Sequence, residues 1–139
     1  MEFDNSCIFC KIIQQQAPAS VIYEDKAVIC FLDIRPLVRG HSLVIPKTHF
    51  VDIFDIPPKS LMDVYSVTKQ VSRAVKVATN ADGVSIIQQN GKAAGQEIFH
   101  FHVHVVPRFT GEKLSSFSDL KAADRAQLDE MAQEIIQHI

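Results

Sequence analysis

The sequence predicts an α+β fold built mainly on an antiparallel sheet. Three observations point there: short β-prone apolar runs in both halves of the chain, one long amphipathic helical pattern between them, and a second helical pattern at the C-terminus. Helices that do not alternate with every strand favour this arrangement over a doubly wound parallel sheet. At 139 residues one domain is expected, with a core near residues 7–107, and such a chain buries roughly 65 to 70% of its unfolded surface.

Val28-Ile29-Cys30-Phe31-Leu32 is the first apolar run, closed by Asp33 and Arg35-Pro36, since proline biases its neighbour away from helix. His41-Ser42-Leu43-Val44-Ile45 follows, entered at Gly40 and stopped by Pro46. Leu61, Val64, Thr68, Val71, Val75 and Ala78 then recur at helical spacing, opened by Pro57-Pro58 and ended between Asn80 and Gly83. Val84-Ser85-Ile86-Ile87 reads as another strand before Asn90-Gly91, and a last helix is expected from about Asp119 to His138, with Leu128, Met131, Ile135 and Ile139 on one stripe.

Bulk properties narrow the function. A net charge of −2 and a pI near 6.3 leave no basic stripe for a phosphate backbone, so nucleic acid is not the expected partner. No run reaches the ~20 apolar residues of a membrane helix, and the N-terminus lacks signal-peptide character, so no membrane partner and a cytoplasmic location are expected. Three cysteines, Cys7, Cys10 and Cys30, argue against a disulfide framework.

The chemistry concentrates in His100-Phe101-His102-Val103-His104. Alternation with Phe101, Val103 and Val105 is the period of a strand, which places three imidazoles on one face about 6.6 to 7 Å apart. A lone histidine there would ordinarily be structural. Three are costly to bury together, because each needs a partner and their charges repel, so a row of this kind serves chemistry or metal. Two chemistries fit: His-x-His can hold a zinc that activates water, or a neutral imidazole can attack phosphorus beside a second one that binds developing charge. Spacing alone leaves both open.

The surroundings narrow the choice. Asn90-Gly91-Lys92-Ala93-Ala94-Gly95-Gln96-Glu97-Ile98-Phe99 leads into the histidines, and Asp33-Ile34-Arg35-Pro36 and His41-x-Leu43-Val44-Ile45-Pro46-Lys47-x-His49 lie upstream. Together these motifs closely resemble the histidine triad family, in the family's order and over most of the chain from Cys7 to Pro107. The resemblance implies a five-stranded antiparallel sheet with two main helices, usually a homodimer whose sheet continues across the subunits. It also implies hydrolase or transferase action on purine nucleotides such as nucleoside phosphoramidates, dinucleoside polyphosphates and adenylylated molecules. Carried over by position, His102 is the nucleophile, His104 contacts phosphate and leaving group, and His41 stands beside them. Asp33 matches the ribose contact. Phe9, Ile12, Phe31 and Ile34 match the base slot, and Gln89, Gly95, Gln96, Glu97 and Ile98 match the ribose and phosphate loop.

One position departs from the family pattern: Glu97 stands where many members have Ser or Thr. An ionised carboxylate there repels phosphate, whereas one with a raised pKa can donate a proton. Glu97→Ser is accordingly expected to raise turnover of an adenosine phosphoramidate. A nucleotide-binding regulatory module with little turnover is the competing reading, together with a zinc hydrolase using the histidine row. Cys7-Ile8-Phe9-Cys10 suits one zinc or a redox pair, but no thioredoxin-like βαβ context follows it. The resemblance to bacterial zinc-containing members implies a structural Cys2His2 site of Cys7, Cys10, His49 and His100. Cys30 reads as core and His138 as a favourable charge at a helix end. Trp is absent, which disfavours the branch that shapes its site with a C-terminal tryptophan.

Overall fold

A computed structural model describes residues 2–113, 117 and 120–139. Its elements are α1 (Ile8–Ile13), β1 (Val21–Glu24), β2 (Val28–Leu32), β3 (Ser42–Pro46), α2 (Pro58–Thr79), β4 (Gly83–Ile87), β5 (Val103–Arg108) and α3 (Arg125–Ile136), with a short 3-10 turn at Lys92–Ala94. The five strands form one antiparallel sheet in the order β1-β2-β3-β5-β4. The α+β class, the antiparallel sheet and its two main helices are as the sequence predicts.

Strand alternation splits the sheet into two faces. Val28, Cys30 and Leu32 of β2, Val44 of β3, and Val103 and Val105 of β5 pack with Val64, Val71 and Val75 of α2 and Leu128, Met131 and Ile135 of α3. On the opposite face Ile29, Phe31, Leu43 and Ile45 gather around Phe9 of α1. Both faces of β2 and β3 are therefore buried throughout, which accounts for their unbroken apolar runs. Each fully buried valine of α2 contributes roughly 1.5 kcal/mol or more.

Helix α2 begins at Pro58, whose fixed φ and missing N–H suit a first turn. It ends at Asn80 in the left-handed region, φ 56°, and the amides of Asn80 and Ala81 return to Val77 and Lys76. The C-terminal helix differs from expectation. Its expected start, Asp119, lies outside the described residues, residues 120–124 are irregular, and the helix runs from Arg125 to Ile136. Leu128, Met131 and Ile135 are buried as expected, but Ile139 lies beyond the helix and stays 39% exposed.

The histidine strand also starts late. Regular pairing begins at Val103, opposite Val44, so His100, Phe101 and His102 precede the ladder. The backbone there is engaged elsewhere: Phe101 N–H donates to the Phe50 carbonyl at 2.6 Å. The face alternation nevertheless persists, with Phe101 in the helix-side core. Among the described residues no helix is long and apolar enough to cross a membrane.

Candidate functional site

On the sheet face away from α2, His102 and His104 stand with ring centroids 4.9 Å apart, and His41 lies 5.1 Å from His104. The hydrogen bonds determine where each proton sits. The Leu37 amide donates to His41 Nδ1 at 3.0 Å, so neutral His41 carries its proton on Nε2. That Nε2–H faces His104 Nδ1 at 2.9 Å and, more distantly, Asp33 Oδ2 at 3.5 Å. His104 Nδ1 is thus an acceptor, and the proton of neutral His104 is on Nε2. His102 Nδ1–H donates to the His100 carbonyl at 2.7 Å, which leaves a lone pair on His102 Nε2.

Burial keeps this row neutral. It pushes His41 down to about 4 and His104 to about 3, each aided by charge repulsion from a neighbouring imidazole. His102 is also lowered by burial, although its bond to the His100 carbonyl acts in the opposite sense. The approach of His41 to Asp33 is therefore not an ion pair near neutral pH, because burial holds the imidazole neutral.

His102 and His104 line a cavity of about 280 Å³. Phe9, Ile12, Phe31 and Ile34 form apolar walls, Asp33 supplies a carboxylate, and Gln89, Gly95, Glu97 and Ile98 contribute the loop side. Asp33 sits in the turn after β2, where its Oδ1 accepts the Arg35 amide at 2.9 Å, while burial raises its pKa. Gly95 has φ 96°, in the region that favours glycine, while a Cβ there would meet the movable terminal amide of Gln89 at 2.5 Å.

Two expected positions lie elsewhere. Gln96 does not line the cavity: it is 2% exposed, accepts the Gly91 amide at 2.7 Å, and donates to the Val51 and Ile98 carbonyls at 2.7 and 3.1 Å. Its amide is consumed in holding the glycine loop. His41 also lies behind the wall, touching His104 from the core side. The cavity gains residues that sequence reasoning missed, including Pro18, Arg35, Phe117 and Arg125. Phe117 lies 4.9 Å from His104, centroid to centroid, and Arg125 reaches Ser20 Oγ at 2.8 Å. Arg35 had a local signal in its closeness to Asp33. The C-terminal residues had none, because a contact across such a sequence separation leaves no periodic trace.

The remaining triad histidine belongs to a second cluster. Ligand atoms of Cys7, Cys10, His49 and His100 all lie within 4.8 Å of one another. His100 Nδ1 is 3.5 Å from Cys7 Sγ and 3.6 Å from Cys10 Sγ, His49 Nδ1 is 3.3 Å from Cys10 Sγ, and the two Nδ1 atoms are 3.2 Å apart. A tetrahedral zinc with its usual bond lengths needs sulfur–nitrogen edges of about 3.5 Å and a nitrogen–nitrogen edge of about 3.3 Å. The donor set fits. The His100 Nε2–H donates to the Pro46 carbonyl at 2.8 Å, which leaves Nδ1 unprotonated and turned to the cluster. Burial pushes Cys10 up to about 11 and His100 down to about 4, so His100 is neutral and able to act as a ligand, and a cation would stabilise the thiolate that burial disfavours. Asp33, His41 and His104 also converge, but the Leu37 hydrogen bond puts a proton, not a lone pair, at the centre of that group.

Comparison with known proteins agrees with this geometry. The HIT domain model matches residues 14–111. A HIT-like protein from Bartonella henselae superposes with a TM-score of 0.91 at 35% identity, covering 99% of each chain. A zinc-bound histidine triad family protein from Mycobacterium smegmatis gives 0.85 at 44% identity, over 96% of this chain and 92% of that one. Among curated relatives, an adenylylsulfatase from Arabidopsis thaliana is 38% identical over 132 residues, covering 95% of this chain and 66% of that protein.

Proposed function

Because this chain belongs to the HIT domain family, we propose that it transfers or hydrolyses the nucleotidyl group of a purine nucleotide through a covalent intermediate on His102. The observation that carries this reading is the His102 Nδ1–H bond to the His100 carbonyl, 2.7 Å, which leaves Nε2 as a nucleophile at the cavity. Asp33 would accept the ribose hydroxyls, and the walls of Phe9, Ile12, Phe31 and Ile34 would take the base.

The steps balance with these groups alone. The Nε2 lone pair of His102 forms a bond to the α-phosphorus, and the bond to the leaving nitrogen or oxygen breaks. The departing group leaves with the electron pair and takes the Nε2 proton of His104, supported on its other side by His41. Water then cleaves the histidine–phosphorus bond, returning a proton to the row and releasing a nucleoside monophosphate. Phosphoramidates, dinucleoside polyphosphates and adenylylated compounds all meet these requirements, and the adenylylsulfatase activity named for the Arabidopsis relative is of the same kind.

Cys7, Cys10, His49 and His100 would hold one zinc. With four protein ligands the metal would leave no position for water, so its contribution is to fasten the N-terminal segment beneath His102. A homodimer belongs to the same reading, with β4 as the sheet edge available for pairing between subunits.

Mass spectrometry after brief acid quench tests the mechanism, using the unmodified and His102→Ala proteins with an adenosine phosphoramidate and a diadenosine polyphosphate. An adduct of adenylyl mass that disappears with His102 is expected. Product without any adduct would overturn the covalent route in favour of metal-activated water, and bound nucleotide with neither product nor adduct would favour a regulatory module.

A further inference from the structure

Glu97 follows Gln96, whose side chain is tied to Gly91, Val51 and Ile98. With the backbone held in this way, the Glu97 side chain projects outward, and it is 61% exposed at the cavity rim. Arg35 projects from the opposite rim, two residues after Asp33, and its Nη2 lies 3.4 Å from Glu97 Oε2. The two residues come from segments far apart in the chain, and both line the cavity that holds His102. A leaving group attached to a phosphorus at His102 would share the cavity with this pair.

Glu97 also lines a neighbouring hollow together with Asp4 and His49. Among the described residues of that lining there is no lysine or arginine. Two cations line the cavity itself: Arg35, already engaged with Glu97, and Arg125, which donates to Ser20 Oγ at 2.8 Å.

We infer that Arg35 and Glu97 form a charge filter that selects the leaving group, favouring departing amines over departing phosphates. This deepens the nucleotidyl-transfer reading and rests on it. A diadenosine polyphosphate presents further phosphate charge at the rim, so it must draw Arg35 away from Glu97 and then meet an uncompensated carboxylate. A phosphoramidate departs as an amine, neutral or protonated, and meets the carboxylate only through its single α-phosphate, so the opposition is smaller. Specificity here comes from a repulsive element as much as from an attractive one.

The test is the ratio of kcat/KM for a diadenosine polyphosphate to that for an adenosine phosphoramidate, at low ionic strength, in the unmodified, Glu97→Gln, Arg35→Ala and doubly substituted proteins. Glu97→Gln is expected to raise the ratio by about threefold to tenfold, and Arg35→Ala to lower it by a similar factor, the range set by a partly screened pair. The double substitution should lie nearer the unmodified ratio than either single one, and added salt should compress all the differences. Ratios that stay within twofold in both single variants, while turnover still depends on His102, would overturn the filter and leave the nucleotidyl-transfer reading standing. Absence of His102-dependent turnover on either substrate would overturn both.

Discussion

His100 and His104 stand four residues apart on one segment, yet the structure gives the same side chain opposite hydrogen-bond settings. At His100 the Pro46 carbonyl takes the Nε2 proton, so a bare Nδ1 converges with His49 and two sulfurs. At His104 the neighbouring His41 donates into Nδ1, which places the proton on Nε2. One group gathers lone pairs around a point suited to a cation, and the other passes hydrogen bonds along a line from the Leu37 amide. Whether a histidine cluster serves metal or proton transfer is decided by its outer hydrogen bonds, and the imidazoles themselves are chemically identical.

The largest expected effect separates the two groups outright. His102→Ala should reduce turnover on the order of 10³-fold or more, as removal of a nucleophile does, while metal analysis finds the zinc content unchanged. Loss of zinc in that variant would mean that the groups are not independent.

The reciprocal substitution, Cys10→Ala, should abolish zinc binding and lower stability by roughly 3–5 kcal/mol, read as a drop in Tm together with zinc analysis. Rates corrected for the folded fraction should fall far less than in His102→Ala. Unmodified protein that contains no zinc, and takes up none on loading, would break the metal half of the comparison.

Acid should sharpen the contrast. His41 and His104 titrate near 4 and near 3 in the folded state against 6.5 when free, so between those limits the unfolded chain holds the extra protons. Stability attributable to the pair is fully present above pH 6.5 and is lost as pH falls through the folded values. In a series of Tm measurements, the difference between the unmodified protein and His104→Gln should narrow steadily from pH 7 to pH 5. A difference independent of pH would exclude a buried neutral pair.

The smallest effect concerns the rim. Glu97→Ser should raise phosphoramidate turnover by a few-fold, the scale expected for an exposed charge already paired with Arg35. An unchanged or lower rate at saturating substrate would show that the carboxylate does not limit this reaction.

Part of this molecule was legible in its sequence. The unbroken runs of β2 and β3, the helical stripe from Leu61 to Ala78 and the alternation around His102 reflect burial that each segment enforces locally. Strand β1 and helix α1 escaped notice because they are only four and six residues long, too short for a periodic signal. Gln96 was expected at the nucleotide, and its side chain instead bonds Gly91, Val51 and Ile98, because an amide beside a glycine loop carries no mark of which partner will consume it.

Residue order and chemistry by themselves determined the fold class, the family and most of the candidate groups of the site. They did so because periodicity and motif spacing are properties of neighbouring residues. The family resemblance already grouped His100 with Cys7, Cys10 and His49 and set His41 beside the triad; only the tertiary structure decided which ring nitrogen each histidine turns to its neighbours, and that Arg35 meets Glu97 at the cavity. Each is a contact between distant segments, and its hydrogen-bond direction, burial and charge balance exist only once the sheet has brought those segments together.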